Sequence, residues 1–240
     1  MQKINWTYIK GVFLIALLAI LYGFSNNRNE ARKIRNIKIE FEGDSKLFMS
    51  YEMVNKLLIQ NGKTVKNQSK SVIDLHKLEV NVQSHPMVEN VSVFTTVNGE
   101  LFAKVQQRTP IARVVVNRGS YYIDKQGKTM PLSPIYADRV LLVTGDVDEK
   151  DNSKIYFLTS EILKDEFLRN ELVGIQKLPN EEFVLHTRDN HHKIILGNLN
   201  GLTQKFKNLK AFYVKAIADK TIANYRTLNL KYNNRVVCTK

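Results

Sequence analysis

The groups with the most chemical potential in this chain are its five histidines. His186, His191 and His192 fall on one stretch, FVLHTRDNHHKIIL, and imidazole is a common ligand for zinc and copper. A structural zinc site wants four converging donors. Only His186 and one of the two later histidines can converge here, because neighbours on a strand point to opposite faces. No cysteine and no nearby acid pair completes a set. The pattern predicts histidines at the surface of a hairpin. His76 reads as a helix-surface residue and His85 as a helix terminus. G-x-S-x-G, H-E-x-x-H and a glycine-rich phosphate loop are all missing from the sequence. No catalytic residue, metal site or cofactor is expected, and the chain does not read as an enzyme.

Binding remains, and charge points to it. Thirty-six Lys and Arg against 23 Asp and Glu leave a net charge of +13. Such an excess favours nucleic acid, anionic lipid or an acidic protein. Nucleic acid is the weakest of these, since no recognition-helix motif or set of stacking aromatics accompanies the charge. From residue 190 onward Asp219 is the only acid, among lysines and arginines that include Lys231 and Arg235. Most of these read as a solvated helix face. The last strands differ, because a terminal strand tends to lie at a sheet edge, where unpaired N–H and C=O groups accept a partner strand. Lys231 and Arg235 beside such an edge would favour an acidic segment. The single cysteine, Cys238, excludes an intramolecular disulfide and reads as a small apolar strand residue.

The elements that position this edge begin far upstream. Gly11 to Phe24 is apolar without a break, and extension back through Ile9, Tyr8 and Trp6 to Ile4 approaches the roughly 20 residues that span a bilayer. Trp6 and Tyr8 suit the headgroup belt, and Lys10 reaches the interface along its stem. A cleavable signal peptide and a buried soluble helix are the rival readings. The cluster Arg28, Arg32, Lys33, Arg35 and Lys38 would by charge bias place the following residues in the cytoplasm, but that bias weakens before a long folded domain. Charge leaves the topology open.

Next comes a small α/β module. Ile37, Ile39 and Phe41 alternate with polar residues as a strand, which Glu42-Gly43-Asp44 closes. Ser50 is a candidate N-cap for a helix carrying Val54, Leu57 and Leu58, with Asn61-Gly62 as its left-handed stop. Ser71 is a second candidate N-cap, ahead of Leu75, Leu78 and Val82 at helical spacing. Pro86 ends that helix. Val91 and Val93, then Leu101, Ala103 and Val105, alternate on either side of Asn98-Gly99, a strong hairpin signal. The order is β-α-α-β-β, predicting a three-stranded sheet with two helices on one face.

Beyond Arg108-Thr109-Pro110 the pattern turns β-rich. Ile111–Val116 and Tyr121–Ile123 flank a turn at 117–120, Pro131 and Pro134 punctuate a loop, and Val140–Thr144 is an apolar run closed by Gly145. Ile155, Leu158, Ile162 and Leu163 mark a helix. Phe183–Leu185 and Lys193–Leu196 form a hairpin across Arg188-Asp189-Asn190. Leu202, Phe206, Leu209 and Tyr213 mark a long helix over 202–218. Two strands, Tyr225–Tyr232 and Arg235–Cys238, joined at Asn233-Asn234, close the chain.

Several short motifs recur in a known order. His85-Pro86-x-Val88, Arg108-x-Pro110-Ile111-Ala112, Asp124-x-x-Gly127, Leu142-x-x-Gly145 and Asn229-Leu230-Lys231-Tyr232 together resemble the FtsQ/DivIB family of bacterial cell-division proteins. Three positions depart from it: Gln107 stands where the family has Glu, and Asn229 and Lys231 stand in its D-L-R-Y. The resemblance implies an α+β fold: a cytoplasmic tail at 1–8, a transmembrane helix at 9–27, a POTRA domain at 36–108 and a mostly antiparallel β domain with about two helices at 109–240. It implies a bitopic scaffold of the division complex in the cytoplasmic membrane at the septum, with its C-terminal domains on the periplasmic side. Such a scaffold recruits and regulates septal peptidoglycan synthesis. The implied partners are the coiled-coil division proteins FtsB (DivIC) and FtsL, received at Tyr232, Arg235, Val236 and Val237, with other divisome proteins contacted through the membrane helix and the POTRA domain. A periplasmic POTRA-type chaperone or assembly module is the alternative, and would require a cleaved N-terminus.

Overall fold

Twenty-five residues from Trp6 to Glu30 form one helix, α1, in a computed structural model that describes residues 6–43, 48–60, 62–117, 119–189, 192–232 and 235–240. At 1.5 Å per residue α1 is about 37 Å long, enough for the roughly 30 Å hydrocarbon core of a bilayer. Its stretch Lys10–Glu30 is long and apolar enough to cross a membrane, and none of it is buried. That exposure excludes the buried soluble helix. The chain then divides into two compact units, one ending at Gln107 and the other beginning at Arg108.

In the first unit, β1 (Asn36–Glu42) alternates exposed and half-buried residues as its sequence predicts. Helix α2 (Tyr51–Leu57) starts where Ser50 Oγ accepts the Met53 N–H at 3.2 Å. Its end differs from expectation. The helix stops at Leu57, and β2 (Ile59–Gln60) pairs with β3 (Lys63–Thr64), with Gln60 opposite Lys63. Gly62, at φ +71°, therefore turns a short hairpin and does not cap a helix, while Asn61 lies outside the described residues.

The second N-cap also moves. Helix α3 spans Leu75–Gln83, and its cap is Asp74, whose carboxylate accepts the Lys77 N–H at 3.0 Å. Ser71 instead lies in a 3-10 turn with its hydroxyl 3.1 Å from that of Ser69. A carboxylate is the better partner for the positive end of a helix. Leu78 and Val82 are buried from this helix, and Leu101, Ala103 and Val105 from the sheet. The sheet runs β1-β5-β4, with β5 (Glu100–Gln107) central, parallel to β1 and antiparallel to β4 (Val88–Thr95).

The second unit is one nine-stranded sheet. Its strands are β6 (Pro110–Val116), β7 (Gly119–Asp124), β8 (Thr129–Pro131), β9 (Leu141–Gly145), β10 (Leu172–Lys177), β11 (Phe183–Thr187), β12 (Lys193–Gly197), β13 (Thr227–Asn229) and β14 (Val237–Thr239). The spatial order is β14-β13-β12-β11-β10-β9-β6-β7-β8. Most pairings are antiparallel, but β6–β9, β9–β10 and β12–β13 are parallel. Parallel neighbours need a crossover. Helices α4 (Asn152–Leu163) and α5 (Glu166–Glu171) carry the chain from β9 to β10, and α6 (Leu202–Ala218) carries it from β12 to β13. Among the described residues the second unit thus carries three α-helices, in keeping with the few that the sequence suggests. Ile155, Leu158 and Ile162 from α4 join Leu202, Phe206, Leu209 and Tyr213 from α6 in one buried cluster with the strands.

Candidate functional site

The motif residues hold the scaffold together. Gln107 Oε1 accepts the N–H groups of Phe48 and Met49 at 2.8 and 3.0 Å. A glutamate carboxylate would accept the same two bonds, so the changed residue keeps the role. His85 Nδ1 accepts the Met87 N–H at 3.3 Å in the tight turn that Pro86 forces between α3 and β4. Arg108 Nη1 meets Asp124 Oδ2 at 2.8 Å, while Asp124 Oδ1 accepts the N–H groups of Gln126 and Lys128, each at 2.8 Å. One buried ion pair thereby joins the proline-containing start of the second unit to the turn that ends at Gly127. Gly145, at φ +99°, leaves no room for a Cβ against the Lys177 carbonyl oxygen.

His186 and His192, the described histidines of the β11–β12 hairpin, are each held in a contact of their own. His186 is half-buried with Nε2 3.3 Å from Gln176 Oε1. His192 is not at the surface, as the hairpin pattern predicts, but buried, with Nε2 bonded to the Tyr213 hydroxyl. That hydroxyl reaches Glu171 Oε1 at 3.2 Å, and burial followed by the Glu171 charge raises its pKa far above the usual tyrosine range. This is a core contact between the β11–β12 hairpin and α6. His191 and Asn190 lie outside the described residues. No group of three potential metal ligands occurs among the described residues.

The last strands do form an edge. α6 lays Leu202, Phe206, Leu209 and Tyr213 into the core, and the chain then returns as β13 beside β12. β14 pairs with β13 through Asn229↔Val237, Leu228↔Cys238 and Thr227↔Thr239, and is the outermost strand. Both strands are shorter than the alternation predicts, three residues each. The turn residues Asn233 and Asn234 lie outside the described residues. Tyr232 is 56% exposed and Val237 42% exposed, and Arg235 is exposed and makes no ion pair among the described residues. Val236 and Cys238 instead pack against the core. The four candidate residues therefore divide: three face solvent and Val236 seats the strand.

Lys231 has a different part from the one its charge suggests. Its ammonium pairs with Glu182 at 2.5 Å and holds that carboxyl below the ordinary range. Its stem lies over Gly197, where a Cβ would come within 2.7 Å of Lys231 Cγ. It braces β13 and is not free for an acidic ligand.

Comparison with known families matches both units. Residues 109–239 match the family described as FtsQ/DivIB, C-terminal related. The chain belongs to the FtsQ/DivIB family. Residues 32–106 match the POTRA-like domain, in agreement with the β-α-α-β-β order of the first unit. A comparison with curated proteins gives no match. As an FtsQ/DivIB-type chain this is a division-related POTRA protein, from a family of non-catalytic scaffolds whose partners are proteins of the division complex.

Proposed function

We propose that this FtsQ/DivIB-type protein is a bitopic scaffold that recruits and regulates septal peptidoglycan synthesis through coiled-coil partners of the FtsB/DivIC and FtsL type. In this reading 1–8 is a cytoplasmic tail, 9–27 crosses the membrane, and the units at 36–108 and 109–240 act on the periplasmic side at the septum. The partner adds a strand to β14. Tyr232, Arg235 and Val237 meet it, and Val236 holds the edge against the core. The observation that carries the reading is the position of β14: it ends the nine-stranded sheet, with exposed apolar side chains beside it and exposed cations, Arg235 and Lys240 among them. Backbone pairing supplies affinity in such a contact and alternate side chains supply selectivity.

The test is binding of the soluble FtsB/DivIC-type coiled coil to the full-length chain. Tyr232→Ala with Val237→Asp is expected to weaken binding at least about tenfold, the effect of losing central interface contacts. Val236→Asp also removes binding, but through damage to the core, so the first pair is the decisive one. Parental affinity in a folded Tyr232→Ala/Val237→Asp variant rules out this edge.

A further inference from the structure

The end of α1 and the tip of the β4–β5 hairpin are clasped together. Ser69 Oγ donates to the Glu30 carbonyl at 2.7 Å, and Arg32 Nη1 to the Val97 carbonyl at 2.7 Å. Backbone bonds join Lys70 N–H to Arg32 O at 2.9 Å and Arg35 N–H to Gly99 O at 2.8 Å. Lys70 Nζ reaches Asn29 Oδ1 at 3.1 Å and also the Thr96 carbonyl. Gly99 permits the approach, since a Cβ there would lie 2.8 Å from the Lys33 carbonyl oxygen.

Between helix and hairpin tip lies an open cleft of about 700 Å³, lined by Leu21, Tyr22, Phe24, Arg28, Arg32 and Val97 among others. Leu21, Phe24 and Arg28 recur at spacings of three and four, so apolar and cationic groups follow one another up a single helix face. Val97, at the hairpin tip, is 72% exposed. Arg28, Arg32, Lys33, Arg35 and Lys70 crowd this level, and none of them makes an ion pair among the described residues.

We propose that this collar is a binding site for an anionic phospholipid, with acyl chain along Leu21 and Phe24 and phosphate between Arg28 and Arg32. The inference rests on α1 crossing the membrane. Given that, the clasp sets the cleft at headgroup depth, where a lipid is the anion at hand. The ligand neutralises cations that make no ion pair among the described residues, and Val97 dips toward the acyl boundary. Burial and the Arg32 charge both lower the Lys70 pKa, which agrees with an anion being wanted nearby. The lipid would fix the tilt of the first unit on its anchor.

The test uses the full-length chain in phosphatidylcholine nanodiscs carrying spin-labelled phosphatidylglycerol or spin-labelled phosphatidylcholine. The motionally restricted fraction is expected to favour phosphatidylglycerol. Arg28→Gln with Lys33→Gln, neither of which makes a side-chain hydrogen bond or ion pair among the described residues, is expected to cut that preference about fivefold for each charge removed. Excess inorganic phosphate leaves it unchanged. Equal restriction of both lipids, an unchanged preference in the variant, or displacement by inorganic phosphate overturns the site. Alkaline extraction of membranes separates the two readings. Release of the chain into the soluble fraction defeats the membrane anchor itself, whereas retention without lipid preference defeats only this site.

Discussion

Arg108 and Asp124 lie 2.8 Å apart with side chains only 10% and 2% exposed, although sixteen residues separate them. They belong to two motifs that look unrelated in the sequence, and the pair makes them one device. A buried ion pair is weak evidence for net stability, but removing one partner strands a charge. Arg108→Met is expected to cost about 3 kcal/mol or more in urea unfolding of the second unit. The double variant Arg108→Met/Asp124→Asn should lose less than the sum of the two singles. A cost for Arg108→Met within about 1 kcal/mol of zero, the range of an exposed pair, contradicts this account.

Gly145 closes β9 against β10, and its constraint is both conformational and steric. Gly145→Ala forces a Cβ onto the Lys177 carbonyl at φ +99°. Gly43 has the same φ but open space around its Cβ position, so Gly43→Ala isolates the backbone strain. Strain of that kind costs about 1–3 kcal/mol. The Gly145 variant is expected to exceed the Gly43 variant by a further 1 kcal/mol or so, about the cost of overpacking a tight site. Equal thermal shifts in the two variants would show that the close approach does not matter.

Acid should weaken the second unit in a defined window. Glu181 accepts hydrogen bonds from Lys154 first and Lys177 second, which lower its carboxyl from 4.5 to about 2. The unfolded chain therefore binds a proton at a pH where the folded chain does not. The contribution is full above pH 4.5 and is lost as pH falls through that value toward 2. Glu181→Gln should differ from the parent most at neutral pH and least at the acid end, and salt should shrink the difference because the pair is exposed. A difference that stays constant across this range contradicts the assignment.

Long, strongly periodic elements were legible in the residues. Leu202, Phe206, Leu209 and Tyr213 mark α6 over its full observed length, Leu202–Ala218. β10 and α5 were not legible. Leu172–Lys177 is paired on both sides and interrupted by Gly174, so its burial does not alternate and gives no period-2 signal. Glu166–Glu171 is six residues long, too short for helical spacing to show, and only its Asp165 cap betrays it. The NG at 61–62 carried two meanings, helix stop and hairpin turn, and the pairing of Gln60 with Lys63 decided between them. In the candidate edge, Tyr232, Arg235 and Val237 were readable only as what the family resemblance implies. The inward face of Val236 and the Glu182 partner of Lys231 were not, because both depend on contacts from strands distant in sequence.

Hydrogen exchange on the complex is the most direct measurement of the central claim. With the FtsB/DivIC-type coiled coil bound to the full-length chain, backbone amides over Arg235–Thr239 are expected to exchange at least about tenfold more slowly, as an edge strand does once it gains a neighbour. Protection confined to other surfaces, with Arg235–Thr239 exchanging as in the free protein, would contradict capture of the partner at β14.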